Sequence, residues 1–324
     1  MVADHMPERV LAALLGCTTD KKNKFLLLWG RKNSIKLNCL KKKMQHVDLA
    51  AAFALGFIFF RASGNSPYGL LLSIAVVNFP AAWWEAVTDS VSPWTLSVVG
   101  SQIIFFVTYW GHGCLYLAID LSQRPVMLYR YKIQTPRLMT AAKVPRVIRN
   151  VVFGQLLVAV PVAIATAYSG RIRVERSLPA SSEMVGHLLA YVALVEVSFY
   201  YSHRALHTDY FYKRVHKTHH EFQSPCAITA AYSHPLEMFV SNVFPIAIGG
   251  VVMSSHLFTY FSWVFFAIIS TQVGHCGYHF PWNPKAQPTN HDYHHEAFKH
   301  NYGVGSLAVF DTFHGTYAKP PSVK

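Results

Sequence analysis

Histidine stands out in this sequence, because it occupies 18 of the 324 positions. Spacings of three and four residues place side chains on one face of a helix, and neutral imidazoles on one face are suited to binding a metal ion. Ten histidines with such spacings are therefore candidate metal ligands. They form four clusters: His203-Arg-Ala-Leu-His207, His216-Lys-Thr-His219-His220, His275-Cys-Gly-Tyr-His279 and His291-Asp-Tyr-His294-His295.

The two His-x-x-His-His clusters are the main support for this interpretation. At this histidine content, chance produces about one His-x-x-x-His pair in a chain of this length, but only roughly 0.05 copies of His-x-x-His-His. Two copies of the rarer pattern are much less expected still. The two His-x-x-x-His pairs gain support because they lie beside these copies in the sequence.

Ten imidazoles are too many for one ion, and they suit two ions with about five nitrogen ligands each and open positions for oxygen. Such an arrangement favours a catalytic site over a structural one. Iron and zinc both accept imidazole ligands, and we favour iron because a redox metal accounts for open positions at the lipid boundary. The Glu-x-x-His pairs of soluble di-iron bundles and the His-Glu-x-x-His motif of zinc proteases are absent from the sequence.

The composition is that of a membrane protein. Hydrophobic residues make up 52% of the chain and charged residues only 14%, whereas soluble domains average about 25% charged residues. The mean hydropathy is +0.22. The net charge of +13 fits basic cytoplasmic loops, so we predict no nucleic-acid partner.

Apolar runs that are long enough to cross a membrane recur along the chain, since a spanning helix needs about 20 residues. We predict an all-α integral membrane protein with about four transmembrane helices, a re-entrant hairpin and a cytoplasmic helical cap that carries the histidines. The predicted spans cover residues 68–84, 91–119, 151–170 and 184–202, and the hairpin covers 238–252 and 257–273.

Lysine and arginine predict the orientation, because short basic loops stay on the cytoplasmic side. Residues 21–43 hold nine of these residues and residues 124–149 hold seven, with no acidic residue in either stretch. Both stretches should therefore be cytoplasmic. Counting the crossings from them places the histidine clusters on the same side of the membrane.

The four clusters, in this order after hydrophobic spans, resemble those of the fatty acid hydroxylase/sterol desaturase superfamily. The resemblance runs over about residues 129–316, whereas the N-terminal 120 residues match only in hydropathy. It includes Tyr131-Lys-Ile-Gln134, Phe199-Tyr-Tyr-Ser-His-Arg204 and Ala231-Tyr-Ser-His-Pro-Leu-Glu237.

The resemblance implies the domain organisation. Residues 151–316 would form a fatty acid hydroxylase-type catalytic domain, followed by a C-terminal tail at 317–324. Before that domain lie a basic cytoplasmic segment (1–48), a first membrane region (49–120) and a basic cytoplasmic connection (121–150). The family also points to the endoplasmic reticulum membrane as the location, with the catalytic site and the N-terminus on the cytoplasmic side.

Members of this superfamily are integral membrane di-iron oxidases, so the resemblance implies two iron ions that activate O2 to oxidise a C–H bond. Electrons would come from NAD(P)H through a reductase and cytochrome b5. No fused cytochrome b5 is expected, because His234-Pro235 is not followed by Gly-Gly. An acidic donor could dock on nearby basic residues, although cytoplasmic topology explains them equally well. These residues are Arg204, Lys213, Arg214 and Lys217.

Four further residues are candidates for orienting the ligands, because metal-bound histidines usually donate their second N–H to a carboxylate or carbonyl. Glu196 lies two helical turns before His203, inside an apolar span where an ionisable group needs a partner. Asp292 and Glu237 are weaker candidates of the same kind. His234 is a candidate for the ligand surroundings or the substrate channel, and a structural histidine is the equal alternative.

The site is expected where the helices leave the bilayer, so the substrate should be a lipid. We favour oxidation of a sterol methyl group or ring carbon, and fatty acyl or sphingolipid hydroxylation is the runner-up. No residue separates these two. A membrane protein that binds zinc without catalysis is the alternative from another class.

Overall fold

The computed structural model describes residues 76, 79–135, 139–281, 287–303 and 308–321. These residues belong to one compact unit, Val47–Lys324. The predicted N-terminal segment 1–48 and most of the predicted span 68–84 lie outside the described residues.

The described chain is helical, and within it no β-strand forms. Five helices, α2, α4, α5, α7 and α8, are long and apolar enough to cross a membrane, which confirms the predicted all-α integral membrane fold. The helices are α1 (Ala81–Ser90), α2 (Pro93–Ser122), α3 (Val126–Tyr129), α4 (Ala141–Tyr168), α5 (Ser181–Leu206), α6 (Asp209–Arg214), α7 (Pro235–Val252), α8 (Leu257–Gly274), α9 (Gln287–Ala297) and α10 (Val309–Phe313).

Helix α4 begins within the predicted basic connection, ten residues before the predicted span. Its first turns are amphipathic, because Val147 and Val151 are fully buried while the Arg146 side chain is 58% exposed. Arginines on the outer face do not interrupt a helix whose inner face packs against the core. The basic residues therefore limit the apolar run in the sequence, but they do not mark where the helix begins.

Three of the membrane helices contain a π-helical turn, at Leu96–Gly100 in α2, Gln155–Ala159 in α4 and Met238–Val243 in α7. In α4 and α7 a proline follows directly, at Pro161 and Pro245. Proline has no N–H to donate and crowds the preceding turn, so the wider turn relieves the clash.

The hairpin of α7 and α8 reaches the ends of α4 and α5 that lie opposite the histidines. The backbone N–H of Arg173, between α4 and α5, donates to the carbonyl of Ser255 at 2.9 Å, and Leu257 donates back to Arg173 at 2.8 Å. The turn of the hairpin therefore packs against the loop that joins α4 to α5. With 18 residues, α8 is about 27 Å long.

A buried ion pair joins the end of α2 to the segment after α3, and both of these parts contact the loop after α8. Nζ of Lys132 lies 2.8 Å from Oδ1 of Asp120, and their side chains are 1% and 0% exposed. Tyr278 donates a second hydrogen bond to the same oxygen at 2.6 Å. The backbone of Ile133 donates to the carbonyl of Gly277 at 2.9 Å. These contacts hold the loop that follows His275.

We expect Lys132→Met to lower the free energy of unfolding by about 3–5 kcal/mol, because the Asp120 carboxylate would stay buried without its cation. Thermal unfolding of the detergent-purified protein measures the loss. Arg146→Met is the matched control. It breaks an ion pair in which the side chains of Arg146 and Glu221 are 58% and 37% exposed, and it should cost no more than about 1 kcal/mol. Equal losses from the two variants would contradict the prediction.

Candidate metal centre

Nine of the ten candidate histidines come together in two groups, each compact enough to hold one metal ion. The ligand atoms within a group all lie within 4.8 Å of one another. The five-histidine group comprises His203, His207, His216, His220 and His294. The four-histidine group comprises His219, His275, His291 and His295.

Each His-x-x-His-His cluster divides its side chains between the two groups. The first lies on a 3-10 turn, His216–Glu221, and contributes two histidines to the five-histidine group and His219 to the other. The second lies on α9 and contributes His294 to the five-histidine group and two histidines to the other. The 3-10 turn and α9 therefore tie the two groups together.

The Nε2 atoms converge at the centre of each group. In the five-histidine group, Nε2 of His216 lies 2.9 Å from that of His207, 3.2 Å from that of His203 and 3.1 Å from that of His220. His294 approaches His207 with an Nε2–Nε2 distance of 3.1 Å. The five potential ligand atoms therefore lie close enough together to coordinate a single metal ion.

The four-histidine group has the same arrangement. Nε2 of His291 lies 2.8 Å from that of His275 and 3.2 Å from that of His295. Nε2 of His219 lies 3.3 Å from that of His275. All four histidines are buried.

The Nδ1 atoms point outward, and several of them contact backbone carbonyls. In the four-histidine group, Nδ1 of His275 lies 2.8 Å from the carbonyl of Thr271, and Nδ1 of His219 lies 3.2 Å from that of Tyr232. A carbonyl oxygen only accepts a hydrogen bond, so these Nδ1 atoms carry the proton. In the five-histidine group, the corresponding Nδ1–carbonyl pairs are His203 with Tyr302 at 2.7 Å and His294 with His300 at 2.6 Å.

This tautomer decides what the groups can bind. A neutral ring with its proton on Nδ1 presents a lone pair at Nε2. Lone pairs about 3 Å apart repel one another unless a cation lies among them, and imidazole nitrogen is a ligand of iron and zinc. The donor set therefore fits a metal ion in each group.

Burial keeps the rings neutral, as metal ligands must be. Burial lowers the pKa of His219 to about 4 and the pKa of His275 to about 3. It also lowers the pKa of His294 and His295 well below the ordinary value. At neutral pH the Nε2 lone pairs are thus available to a cation.

His279 lies outside both groups, although its spacing predicts a ligand beside His275. Helix α8 ends at Gly274, and Gly277 has a φ of +70°, which turns the chain away from the helix. Nδ1 of His279 lies 2.8 Å from the hydroxyl of Thr289. The helical phasing assumed for this cluster therefore does not extend to its second histidine.

Glu237 is the carboxylate that contacts the candidate ligands. It is 3% exposed, and its Oε2 lies 2.9 Å from Nδ1 of His216. Its Oε1 lies 3.9 Å from Nδ1 of His219. Because His216 and His219 belong to different groups, this one carboxylate contacts a member of each group. The sequence favours Glu196 over Glu237 for this role.

The other three candidates lie elsewhere. Glu196 lines a cavity beside the groups and makes no hydrogen bond or ion pair with another described residue. Asp292 accepts a hydrogen bond from Gln134 at 2.6 Å, and burial raises its pKa to about 7. His234 is exposed and caps α7 by accepting the N–H of Leu236 at 3.1 Å.

A cavity of about 430 Å³ lies among α2, α5, α7 and α8, within the size range of small-molecule sites. Its apolar walls include Phe199, Trp263 and Phe266, and the π-helical turn of α7 forms part of one side. Members of both histidine groups line it, namely His203, His219, His275 and His291. An apolar molecule in this cavity would reach both groups.

Comparison with known proteins agrees with this geometry. A family model described as "Fatty acid hydroxylase" matches residues 188–316, which contain all four histidine clusters. Fatty acid hydroxylase domain-containing protein 2 from Homo sapiens is 36% identical over 245 residues, which cover 74% of this chain and 72% of that protein. The chain belongs to the fatty acid hydroxylase family. This result confirms the resemblance of the histidine clusters.

Other proteins that are similar to the chain carry different names. A very-long-chain aldehyde decarbonylase, GL1-11, from Oryza sativa subsp. indica is 30% identical over 245 residues, covering 72% of this chain and 90% of that protein. Methylsterol monooxygenase 2-2 from Arabidopsis thaliana is 29% identical over 229 residues, covering 68% of this chain and 84% of that protein. No solved structure matches the chain.

Proposed function

We propose that the protein is a membrane oxidase that uses O2 and two iron ions, one in each histidine group, to oxidise a C–H bond of a lipid. One observation carries this proposal: the apolar cavity among the membrane helices ends at members of both histidine groups. A zinc site that served only for structure would not need such a cavity beside its ligands.

The roles of the residues follow from their positions. The bound irons would supply O2 activation and one-electron chemistry, to which no side chain in the cavity is suited. The aromatic and aliphatic walls bind the substrate by excluding water. The carbonyls that accept the Nδ1 protons orient the imidazoles, and the Glu237 carboxylate contacts one ligand in each group.

For the substrate we propose a sterol that is oxidised at a methyl group or ring carbon. The similarity to a methylsterol monooxygenase supports this choice. Fatty acyl or sphingolipid hydroxylation is the alternative, which the description of the matching family model favours. In cells that lack the protein, accumulation of methylated sterols would support the first substrate, and loss of hydroxylated acyl chains the second.

The direct test begins with protein purified without oxygen and loaded with iron(II). We expect two irons per chain, and O2 consumption that depends on an added lipid and a chemical reductant. A methyl sterol and a ceramide are the first lipids to compare. Iron-loaded protein that consumes no O2 with either lipid would contradict the oxidase proposal, and zinc as the native metal would favour a non-catalytic role.

The location and orientation belong to the same proposal. We infer a protein of the endoplasmic reticulum membrane whose N-terminus and histidine groups face the cytoplasm, because basic residues concentrate at 21–43 and 124–149. Protease accessibility of an N-terminal tag in sealed microsomes tests the orientation. A tag that is protected until detergent is added would contradict it.

We also propose a separate electron donor of the cytochrome b5 type, fed by an NAD(P)H-dependent reductase. Four basic side chains near the histidine groups are exposed and could attract an acidic protein. They are Arg204, Lys213, Arg214 and Lys217.

We expect Lys213→Glu to slow donor-driven turnover by about 10-fold at low salt, because the reversed charge weakens electrostatic steering. Turnover with a small chemical reductant should not change. Arg171→Glu is the control, since Arg171 is also exposed but lies at the opposite ends of the helices. Equal slowing by both variants would contradict a docking surface at Lys213.

A further inference from the structure

Two members of the five-histidine group hydrogen-bond to the carbonyls of one short segment, residues 298–303, which we call the carbonyl segment. It directly follows α9. The pairs are His294 with His300, at 2.6 Å, and His203 with Tyr302, at 2.7 Å. This segment therefore sets the direction of two of the five rings in the group.

The backbone of the carbonyl segment adopts a conformation that needs support. Phe298 has a φ of 64° and Asn301 a φ of 59°, in the left-handed region that non-glycine residues seldom occupy. Such residues persist only when surrounding contacts hold them. The contacts that hold this segment are thus part of the site.

Asp311 supplies those contacts. Its carboxylate is buried, with the residue 1% exposed. Oδ1 accepts the backbone N–H of Tyr302 at 2.9 Å, and Oδ2 accepts that of Gly303 at 2.7 Å. Thr316 donates its hydroxyl to Oδ1 at 2.7 Å. Two N–H groups held by one carboxylate fix the orientation of the peptide whose carbonyl belongs to Tyr302.

Further contacts tie this arrangement to the rest of the site. Thr316 also lies 3.0 Å, oxygen to oxygen, from the hydroxyl of Tyr200, which lies one helical turn before His203 on α5. The side chain of Asn301 pairs with the backbone of Ala318 in both directions, at 2.9 Å each. The hydrogen bonds form a closed path from α5 through Asp311 and the carbonyl segment back to α5.

The four-histidine group has different supports. The Nδ1 atoms of its members contact the carbonyls of Thr271, on α8, and Tyr232. No hydrogen bond in the described part of the chain joins Asp311 to a member of that group. Removal of the Asp311 carboxylate should therefore disturb one group and spare the other.

We propose that Asp311 is a positioning residue that retains the metal ion of the five-histidine group, and that this ion is released independently of the ion in the four-histidine group. The inference rests on the proposed function only for the premise that each group binds an ion. It does not depend on the reaction, nor on whether the ion is iron.

The test measures metal bound per chain in the full-length protein, loaded separately with iron(II) and with zinc and then exposed to a chelator. We expect Asp311→Ala to release one ion at least about 10-fold faster than the wild type, as is typical when support of a ligand is lost, and to keep the second. Asp311→Asn should show a smaller effect, because the amide oxygen still accepts one N–H. Asp209→Asn, a change of an exposed carboxylate nearby, should behave as the wild type.

Double variants separate positioning from general damage. Asp311→Ala with His207→Ala should retain one ion, as either single variant does, because both changes affect the same group. Asp311→Ala with His295→Ala should retain none. Release of both ions by Asp311→Ala alone, release at the wild-type rate, or a wild type that binds fewer than two ions would overturn the proposal. Two bound ions without O2 consumption would refute the oxidase function and leave this proposal standing.

Discussion

Replacing His275 with alanine is expected to reduce the bound metal from two ions to one per chain and to lower turnover more than about 100-fold. Its Nε2 lies 2.8 Å from that of His291 and 3.3 Å from that of His219, so its loss opens one side of the four-histidine group. Changes in the residues that merely orient ligands already cost 10–100-fold. Metal analysis and lipid-dependent O2 uptake measure both effects.

His279→Ala is the matched control from the same cluster. The structure places this ring outside both groups, with Nδ1 at 2.8 Å from the hydroxyl of Thr289, so we expect both ions to remain bound. The opposite pattern, in which His279→Ala loses an ion and His275→Ala keeps two, would show that the loop after α8 adopts another conformation in the metal-loaded protein.

Replacing Glu237 with glutamine is expected to weaken the binding of both ions by about 10–100-fold. The carboxylate lies 2.9 Å from Nδ1 of His216 and 3.9 Å from Nδ1 of His219, one ligand in each group. An amide has no negative charge with which to balance the bound cations. Because the carboxylate is buried among these rings, water cannot take its place. Chelator competition measures the loss for each ion.

Glu196→Gln is the control for that prediction, since it removes a carboxylate from the same cavity without removing a contact to a ligand. We expect it to keep both ions with wild-type affinity. Weakened metal binding in Glu196→Gln together with wild-type binding in Glu237→Gln would contradict the prediction. It would support the expectation from the sequence that Glu196 is the more important of the two carboxylates.

The fold class followed from the sequence because hydrophobicity is a local property. A membrane helix satisfies its own backbone hydrogen bonds, so apolar length alone predicts it. Four of the predicted runs correspond to α2, α5, α7 and α8. The start of α4 was predicted less well, because its basic residues lie on the outer face of an amphipathic helix, and average hydropathy does not separate the faces.

Histidine chemistry likewise predicted a metal centre, since imidazole is a metal ligand wherever it is concentrated and buried. The division into two groups could not be predicted, because neighbours such as His219 and His220 belong to different groups. That assignment depends on the 3-10 turn that carries them and on where α9 packs. The exclusion of His279 depends in the same way on the turn at Gly277.

The residues that orient the ligands were the least predictable part. Glu237 lies 21 residues beyond His216 in the sequence, and only the packing of α7 brings the two together. Backbone carbonyls, such as that of Tyr302, have no sequence signature, because every residue has one. The sequence alone thus determined a membrane-embedded chain rich in metal ligands. Tertiary structure decided which histidines share a group, since distances of about 3 Å between separate helices arise only from packing.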